Sequence, residues 1–167
     1  MIDESGFDAL YRQTAAPLRA YVARVLGSAT RADDIVQEAY LRLLRTPPAI
    51  DDPGQLRAYL FRTASNLIHD HWRQQQRERK LFERHSTEPE TVNPDTALRL
   101  DMTKLFEQLR PQQRQLMWLA YVEGADHREI AAALGLRERS VRVLLHRARR
   151  KLVALLGQRG RGVGERS

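Results

Sequence analysis

The chain has 167 residues, no cysteine, and 28 Lys and Arg against 21 Asp and Glu, which gives a formal net charge of +7. The lack of cysteine excludes disulfide frameworks, thiolate metal sites and cysteine nucleophiles, and 29% charged residues with only short apolar runs exclude a membrane-inserted bundle. The basic balance favours a polyanionic partner such as nucleic acid, and an acidic N-terminus without an apolar signal core predicts a cytoplasmic protein.

The first 45 residues predict two helices. Apolar residues recur at helical intervals across residues 7–25, and Pro17 inside that pattern is expected to kink or divide the first helix. Thr30, with Asp33 three residues later, predicts the cap of a second helix over about 31–45. The second helix is expected to bury an apolar face made of Ile35, Val36, Ala39, Leu43 and Leu44.

A third, longer helix is predicted from about Gly54 to Glu83, after a proline-containing loop. Its apolar face includes Trp72, which is therefore expected to lie in the core rather than to stack on a base. The opposite face is polar and carries Tyr59, Arg62, Thr63, Asn66, Asp70, Arg73 and Arg77.

The sequence predicts an all-α fold in two small helical units. Residues 85–95 contain two prolines and almost nothing apolar, so they predict a flexible linker between a unit at 1–84 and a unit at 96–156. The tail 157–167 is rich in Gly and Arg and is expected to be disordered. Helices of the second unit are expected near 96–109, 111–122, 127–134 and 138–156.

Residues 128–145 have the spacing of a helix-turn-helix. Ala131 is small where two helices would cross, Gly135 supplies the positive φ of a tight turn, and Val141 would pack the second helix against the first. Residues 137–151 contain seven basic residues and one acid, which is +6 of the net charge. The buried positions between the helices are expected to be Ile130, Leu134, Leu136 and Leu144.

The second helix of such a motif enters the major groove by its N-terminal end. The rest of its basic surface would follow the phosphate backbone, with a strong dependence on salt. The candidate DNA-contacting residues on this helix are Arg137, Glu138, Arg139, Ser140, Arg142, Val143, His146, Arg147 and Arg149.

Three segments carry a resemblance to a known family. Residues 32–45, ADDIVQEAYLRLLR, closely resemble region 2.2 of bacterial sigma factors of the extracytoplasmic-function (ECF) type. Residues 59–73, YLFRTASNLIHDHWR, are similar to regions 2.3 and 2.4 of that family, and residues 109–149 are similar to region 4. The resemblance covers about residues 7–156, in the family's order and spacing.

The resemblance implies that the protein binds core RNA polymerase and directs promoter-specific initiation. Its implied partners are the β′ clamp helices and the β subunit of the polymerase, promoter DNA and an anti-sigma factor. Region 4 would recognise the −35 element, and region 2 would melt the −10 element. The residues implied to bind the core enzyme are Asp34, Gln37, Glu38, Leu41 and Arg42.

The resemblance also implies a pocket for an unstacked base of the −10 element. An amide can pair bidentately with a base edge, and the pocket must offset the few kcal/mol that unstacking costs. The residues implied to contact −10 DNA are the loop residues Ile50 and Asp51 and the helix residues Tyr59, Arg62, Asn66, Arg73 and Arg77.

Two other functions compete with this interpretation. A stand-alone helix-turn-helix regulator would explain the C-terminal unit but not the resemblance to region 2. An enzyme would need a catalytic or metal-binding cluster. His69 and His71 flank Asp70, but residues two apart on a helix point away from each other. We therefore expect no enzyme activity, no metal site and no cofactor.

Overall fold

The computed structural model describes residues 2–81 and 103–164, with side chains described as far as residue 159. Every regular element in these ranges is a helix, so the predicted all-α fold is confirmed. The predicted linker, 85–95, lies outside the described residues. The helices are α1 (Glu4–Leu26), α2 (Ala29–Arg45), α3 (Pro53–Leu81), α4 (described over 103–107), α5 (Pro111–Tyr121), α6 (His127–Leu134) and α7 (Glu138–Gly164).

The N-terminal unit packs α1, α2 and α3 against one another. Pro17 was predicted to kink or divide the first helix, and it does not divide it, because α1 runs without interruption from Glu4 to Leu26. A proline ring leaves the carbonyl of the residue four positions earlier without its helical donor. That residue is Gln13, which is exposed, so water can hydrate the carbonyl.

The second helix begins one residue earlier than Thr30. Its cap is Ser28, whose hydroxyl accepts a hydrogen bond from the backbone of Arg31 at 3.4 Å, so the predicted Thr30 cap is wrong. Asp33 has a different role, because its carboxylate pairs with Arg19 of α1 at 2.7 Å. The serine precedes the first helical residue with extended backbone, which is the usual geometry of a cap.

The buried face of α2 differs from the predicted one at its edges. Ile35, Ala39 and Leu43 are buried, but Val36 is only partly buried and Leu44 is 51% exposed. Tyr40 is buried instead, and its hydroxyl lies 2.6 Å from that of Thr14, which donates to the Leu10 carbonyl. On α3, Thr63 of the predicted polar face is buried, and its hydroxyl donates to the carbonyl of Tyr59.

The C-terminal unit contains the predicted helix-turn-helix. α6 is capped by Asp126 and Glu129, which bond to each other's backbone N–H groups, and it ends at Gly135 with φ +65°. Val141 of α7 is fully buried against α5 and α6. Two predicted core positions, Leu136 and Leu144, are only partly buried.

The last helix is longer than its sequence pattern indicated. α7 continues to Gly164, so the prediction of a disordered tail is wrong for 157–164, while 165–167 lie outside the described residues. Leu152 and Leu155 pack against the core near the point where the predicted helix ends. A helix already anchored there can continue through glycines at a cost of about 1 kcal/mol for each.

Gly135 should tolerate a side chain poorly. A Cβ there would meet nothing within 4 Å, so the cost of Gly135→Ala comes from its left-handed backbone. We expect the free energy of unfolding in urea to fall by about 1–2 kcal/mol. Gly157→Ala is the matched control, because Gly157 is helical and equally open, and it should stabilise the protein by about 0.5–1 kcal/mol. Equal effects of the two substitutions would contradict the backbone argument.

Candidate functional site

The residues predicted to bind the core enzyme share one face of α2. Asp34, Gln37 and Arg42 are exposed, whereas Glu38 and Leu41 are partly buried. Arg42 donates through Nε to the Glu38 carboxylate at 3.1 Å, one helical turn away. Asp34 and Gln37 make no such pair among the described residues, so the face presents acceptor oxygens to a partner.

An apolar hollow of about 600 Å³ lies beside this face, between α1 and α2. Tyr11 and Leu44 line it and are 48% and 51% exposed. The Tyr11 ring stands 5.0 Å from the Tyr40 ring, centroid to centroid. The hollow shares Gln37 and Leu41 with the predicted core-binding face, which extends that face onto α1. The sequence did not indicate that Tyr11 belongs to such a surface, and it placed Leu44 on the buried face of α2.

The residues predicted to contact −10 DNA form a stripe along α3. Arg62, Asn66, Arg73 and Arg77 are exposed, and Tyr59 is partly buried at the N-terminal end of the stripe. The preceding loop places Asp52 at the start of the helix, where its carboxylate accepts from the backbone of Gln55 at 2.9 Å. In that loop Ile50 is partly buried and Asp51 is exposed. The half-buried Trp72 packs against the core, with its ring edge-on to His69.

The DNA-facing candidates lie on the outer side of α7. Val141, Leu145 and Ala148 hold the helix to the core, and the positions between them face solvent. Arg149 is held differently from the others, since its guanidinium donates to the Tyr121 hydroxyl at 3.0 Å. Within the described residues no carboxylate pairs with the exposed Arg137, Arg139, Arg142 or Arg147, so their charges are available to phosphates. Glu138, Val143 and His146 are exposed on the same side, and Ser140 is partly buried.

The two units pack against each other, which the sequence did not predict. α1 contacts α5, and α3 contacts α6. Gln115 of α5 is fully buried and donates to the hydroxyl of Tyr21 of α1 at 3.2 Å. Arg57 of α3 pairs with the carboxylate of Glu123, which is only 10% exposed. Burial raises the pKa of Tyr21 to about 12, so its phenol is protonated at neutral pH.

A cleft of about 490 Å³ remains between the units, which we call the inter-unit cleft. Ile50, Tyr59 and Arg62 of the predicted −10 surface line one side of it. The other side is formed mainly by α6, including Arg128 and Ala132. Part of the predicted −10 surface therefore faces the helix-turn-helix rather than open solvent.

The two histidines of α3 lie in different surroundings. Burial, followed by the charge of Arg73, lowers the pKa of His69, and burial, followed by Arg31, lowers the pKa of His71. Both imidazoles are therefore mainly neutral at pH 7. Over the described parts of the chain, no three metal-ligating side chains are grouped, and no helix has the length and apolarity needed to cross a bilayer.

Both halves of the chain match known families. The family profile of Sigma-70 region 2 matches residues 10–78, and that of Sigma-70, region 4 matches residues 99–152. The two matches coincide with the two helical units and contain every residue that the sequence suggested as functional.

Individual proteins extend the similarity over nearly the whole chain. The chain is 36% identical over 159 residues to the ECF RNA polymerase sigma factor SigL of Mycobacterium tuberculosis, covering 91% of this chain and 89% of SigL. Its fold is similar to that of the sigma factor RpoE of Bartonella quintana, solved with the anti-sigma factor NepR, with a TM-score of 0.78, 23% identity and coverage of 90% and 96%. It is also similar to CnrH, solved with the cytosolic domain of CnrY, with a TM-score of 0.69, 26% identity and coverage of 93% and 90%.

Proposed function

The chain belongs to the ECF family of RNA polymerase sigma factors. We propose from this which of its surfaces binds core polymerase and which bind the −10 and −35 elements in promoter-specific initiation. The observation that carries the proposal is that both sigma regions are present in order on one chain, each with its candidate surface displayed on a helix. A stand-alone helix-turn-helix regulator would need only the second of these units.

The α2 face is the proposed docking surface for the β′ clamp helices. Asp34, Gln37 and Glu38 supply oxygen acceptors, and Leu41 adds apolar area beside the hollow that Tyr11 and Leu44 line. Arg-rich partner surfaces recognise carboxylates by charge-assisted, often bidentate hydrogen bonds. An acidic face next to an exposed apolar hollow has the composition of a protein interface, with an apolar anchor and a polar rim.

The α3 stripe is the proposed −10 surface. The amide of Asn66 is exposed and can pair with the edge of an unstacked base, while Tyr59 offers a ring for stacking. Arg62, Arg73 and Arg77 follow the same side of the helix and would bind phosphates of the separated strand. Ile50 and Asp51 of the preceding loop would frame the base, which also gives the loop a role in base preference.

The outer side of α7 is the proposed −35 surface. Arg137, Arg139 and Arg142 occupy its N-terminal end, which is the part of a recognition helix that reaches base edges. Arginine binds the O6 and N7 atoms of guanine bidentately, so guanines are the bases that these side chains fit best. His146 and Arg147, further along, would contact the backbone.

We also propose that an anti-sigma factor is a partner of this chain and that the protein acts in the cytoplasm with the polymerase. Two structures of similar fold, RpoE and CnrH, were solved with partner proteins, and in the case of RpoE the partner is named as an anti-sigma factor. We propose no catalytic role, because the chain would act by binding polymerase and DNA.

Run-off transcription tests the proposed function directly. Purified protein added to core RNA polymerase should bind it and yield discrete transcripts from a pool of genomic promoter fragments, where core enzyme alone yields none. The same protein without polymerase should bind duplex DNA weakly and without dimerising. Dimeric, polymerase-independent operator binding with no transcript from the pool would favour the stand-alone regulator and refute the proposal.

A further inference from the structure

Two adjacent aspartates in the loop before α3 are held differently. The carboxylate of Asp52 accepts a hydrogen bond from the backbone N–H of Gln55, and the Asp52 carbonyl accepts one from the backbone of Leu56, both at 2.9 Å. Asp51 is exposed, and within the described ranges its side chain has no hydrogen bond or ion pair. Asp52 is therefore bound to its own helix, whereas the carboxylate of Asp51 is free to contact a ligand.

The residues around Asp52 favour this cap. α3 begins at Pro53, whose fixed φ suits the first position of a helix and whose missing N–H is one that a helix does not use. A residue before proline is restricted to extended backbone, which is also the usual backbone of a helix cap. Gly54 leaves room for the carboxylate, since a Cβ there would lie 3.2 Å from Oδ2 of Asp52. The three residues together place the Asp52 carboxylate over the first turn of α3.

The rest of the loop is held from its other end. Thr46 follows the last residue of α2, and its backbone N–H donates to the Arg42 carbonyl at 3.0 Å. The backbone N–H of Ile50 donates to the Pro48 carbonyl at 2.8 Å, which makes a tight turn, and the Ile50 side chain packs against the core. Asp51 lies between this turn and the cap, so its backbone is restrained on both sides while its side chain is exposed.

We propose that Asp52 is a positioning residue for the loop that frames the unstacked −10 base. It does not contact the base, and it acts by holding the backbone of Ile50 and Asp51 against the start of α3. The proposal rests on the proposed −10 role of those two residues. A loop that is ordered before DNA arrives loses less conformational freedom on binding, so the cap increases the affinity for the base that the loop fits.

The charge of Asp52 and its hydrogen bond have separable effects. A carboxylate near DNA repels phosphates, but Asp52 lies at the N-terminus of a 29-residue helix, where the partial positive charge of the helix offsets its own. Asparagine at this position would keep an oxygen acceptor for the Gln55 N–H and remove the charge. Alanine would remove both. The two substitutions therefore distinguish positioning by the hydrogen bond from a direct electrostatic effect on DNA.

Base preference at the −10 element tests the positioning role. Holoenzyme is supplied with a promoter series that carries each of the four bases in turn at every −10 position, and the run-off transcripts are quantified. At the position that wild-type protein reads most strongly, Asp52→Ala should reduce the preference roughly five-fold, and Asp52→Asn should retain it. Retained preference in Asp52→Ala, or equal loss in the two variants, would overturn the proposal.

Ser28→Ala is the matched control for a general loss of stability. Ser28 caps α2 in the same way, but at the opposite end of that 17-residue helix, so roughly 25 Å of helix separate it from the loop. Its removal should also lower the free energy of unfolding, yet it should leave the base preference unchanged. If Ser28→Ala reduced the preference as much as Asp52→Ala, destabilisation rather than loop position would be the cause, and the positioning role would be refuted.

Hydrogen exchange measures the cap on the free, full-length protein. Asp52→Ala should speed exchange of the Gln55 amide roughly five-fold or more, and Asp52→Asn should leave it near the wild-type rate. Unchanged exchange in Asp52→Ala would mean that the carboxylate does not hold the loop. Absence of any transcript with wild-type protein would refute the proposed function, whereas transcripts whose base preference Asp52→Ala leaves unchanged would refute only the positioning role.

Discussion

Reversing two charges on α2, with Asp34→Arg and Glu38→Arg together, should weaken binding to core polymerase by at least about 100-fold, equivalent to roughly 2.7 kcal/mol. Like charges placed opposite each other at an interface cost several kcal/mol, and the proposed partner surface is rich in arginine. Run-off transcription should fall in parallel, because the sigma factor would no longer join the enzyme. Binding is measured by titrating labelled protein with core polymerase.

The fold should survive this double substitution. Asp34 is exposed, and Glu38 loses only an exposed pair with Arg42, which contributes about 0.3–0.5 kcal/mol. The matched control is Glu4→Arg with Glu78→Arg, two exposed positions that change the net charge by the same amount. If the control lost as much affinity as the α2 variant, the effect would be one of overall charge, and the α2 face would not be the docking surface.

Arg139→Ala and Arg142→Ala together should reduce holoenzyme binding to a −35-dependent promoter by roughly 100-fold. Each bidentate contact between an arginine and a guanine contributes about 1–3 kcal/mol of discrimination, so the double variant should also tolerate substitutions in the −35 sequence. If one arginine binds phosphate instead, binding should weaken similarly on all sequences and the salt dependence should fall by about one unit of slope. Electrophoretic mobility shifts at several salt concentrations separate the two cases.

Arg12→Ala is the control for the loss of a positive charge. Arg12 lies on α1, is 78% exposed and pairs with the nearby Asp8, so its removal should barely affect promoter binding. Wild-type affinity in the double α7 variant would mean that this helix does not read the −35 element, even though its position in the helix-turn-helix matches that of a recognition helix.

Local signals predicted most of the helix-turn-helix. Gly135 adopts the left-handed backbone that its spacing from Ala131 indicated, and Val141 is fully buried. Both features depend on residues close together in sequence, around the turn between α6 and α7, where spacing alone restricts the geometry. The surfaces on α2, α3 and α7 were likewise visible as polar faces, because helical periodicity separates exposed from buried positions.

Structural features were harder to predict from the sequence where two neighbouring residues, or two opposing interactions, favour different outcomes. Ser28 and Thr30 are both capping residue types, and Ser28 is the cap because α2 begins directly after the left-handed Gly27 that ends α1. Pro17 breaks one hydrogen bond, but packing of α1 on α2, α3 and α5 outweighs that loss. Leu44 fits the helical spacing of the apolar residues of α2, yet it lines the hollow between α1 and α2 and stays exposed.

The contact between the units could not be predicted, because periodicity shows which face is buried but not what covers it. One signal was available. Gln115 lies on the same face of α5 as Leu119, and a polar residue at a buried position needs a hydrogen-bonding partner. That partner, Tyr21, is 94 residues earlier in the chain, and no local pattern connects the two.

The hydrogen bonds around Tyr21 divide unequally between the two units. Ser65 donates to the Phe61 carbonyl and Tyr21 donates to Ser65, so both of these bonds lie within the N-terminal unit. The bond from the Gln115 amide to the Tyr21 oxygen is the member of this set that crosses between the units. Exchanging one such bond for water costs about 0.5–1.5 kcal/mol. The buried polar groups of the N-terminal unit therefore bond to one another without help from the C-terminal unit.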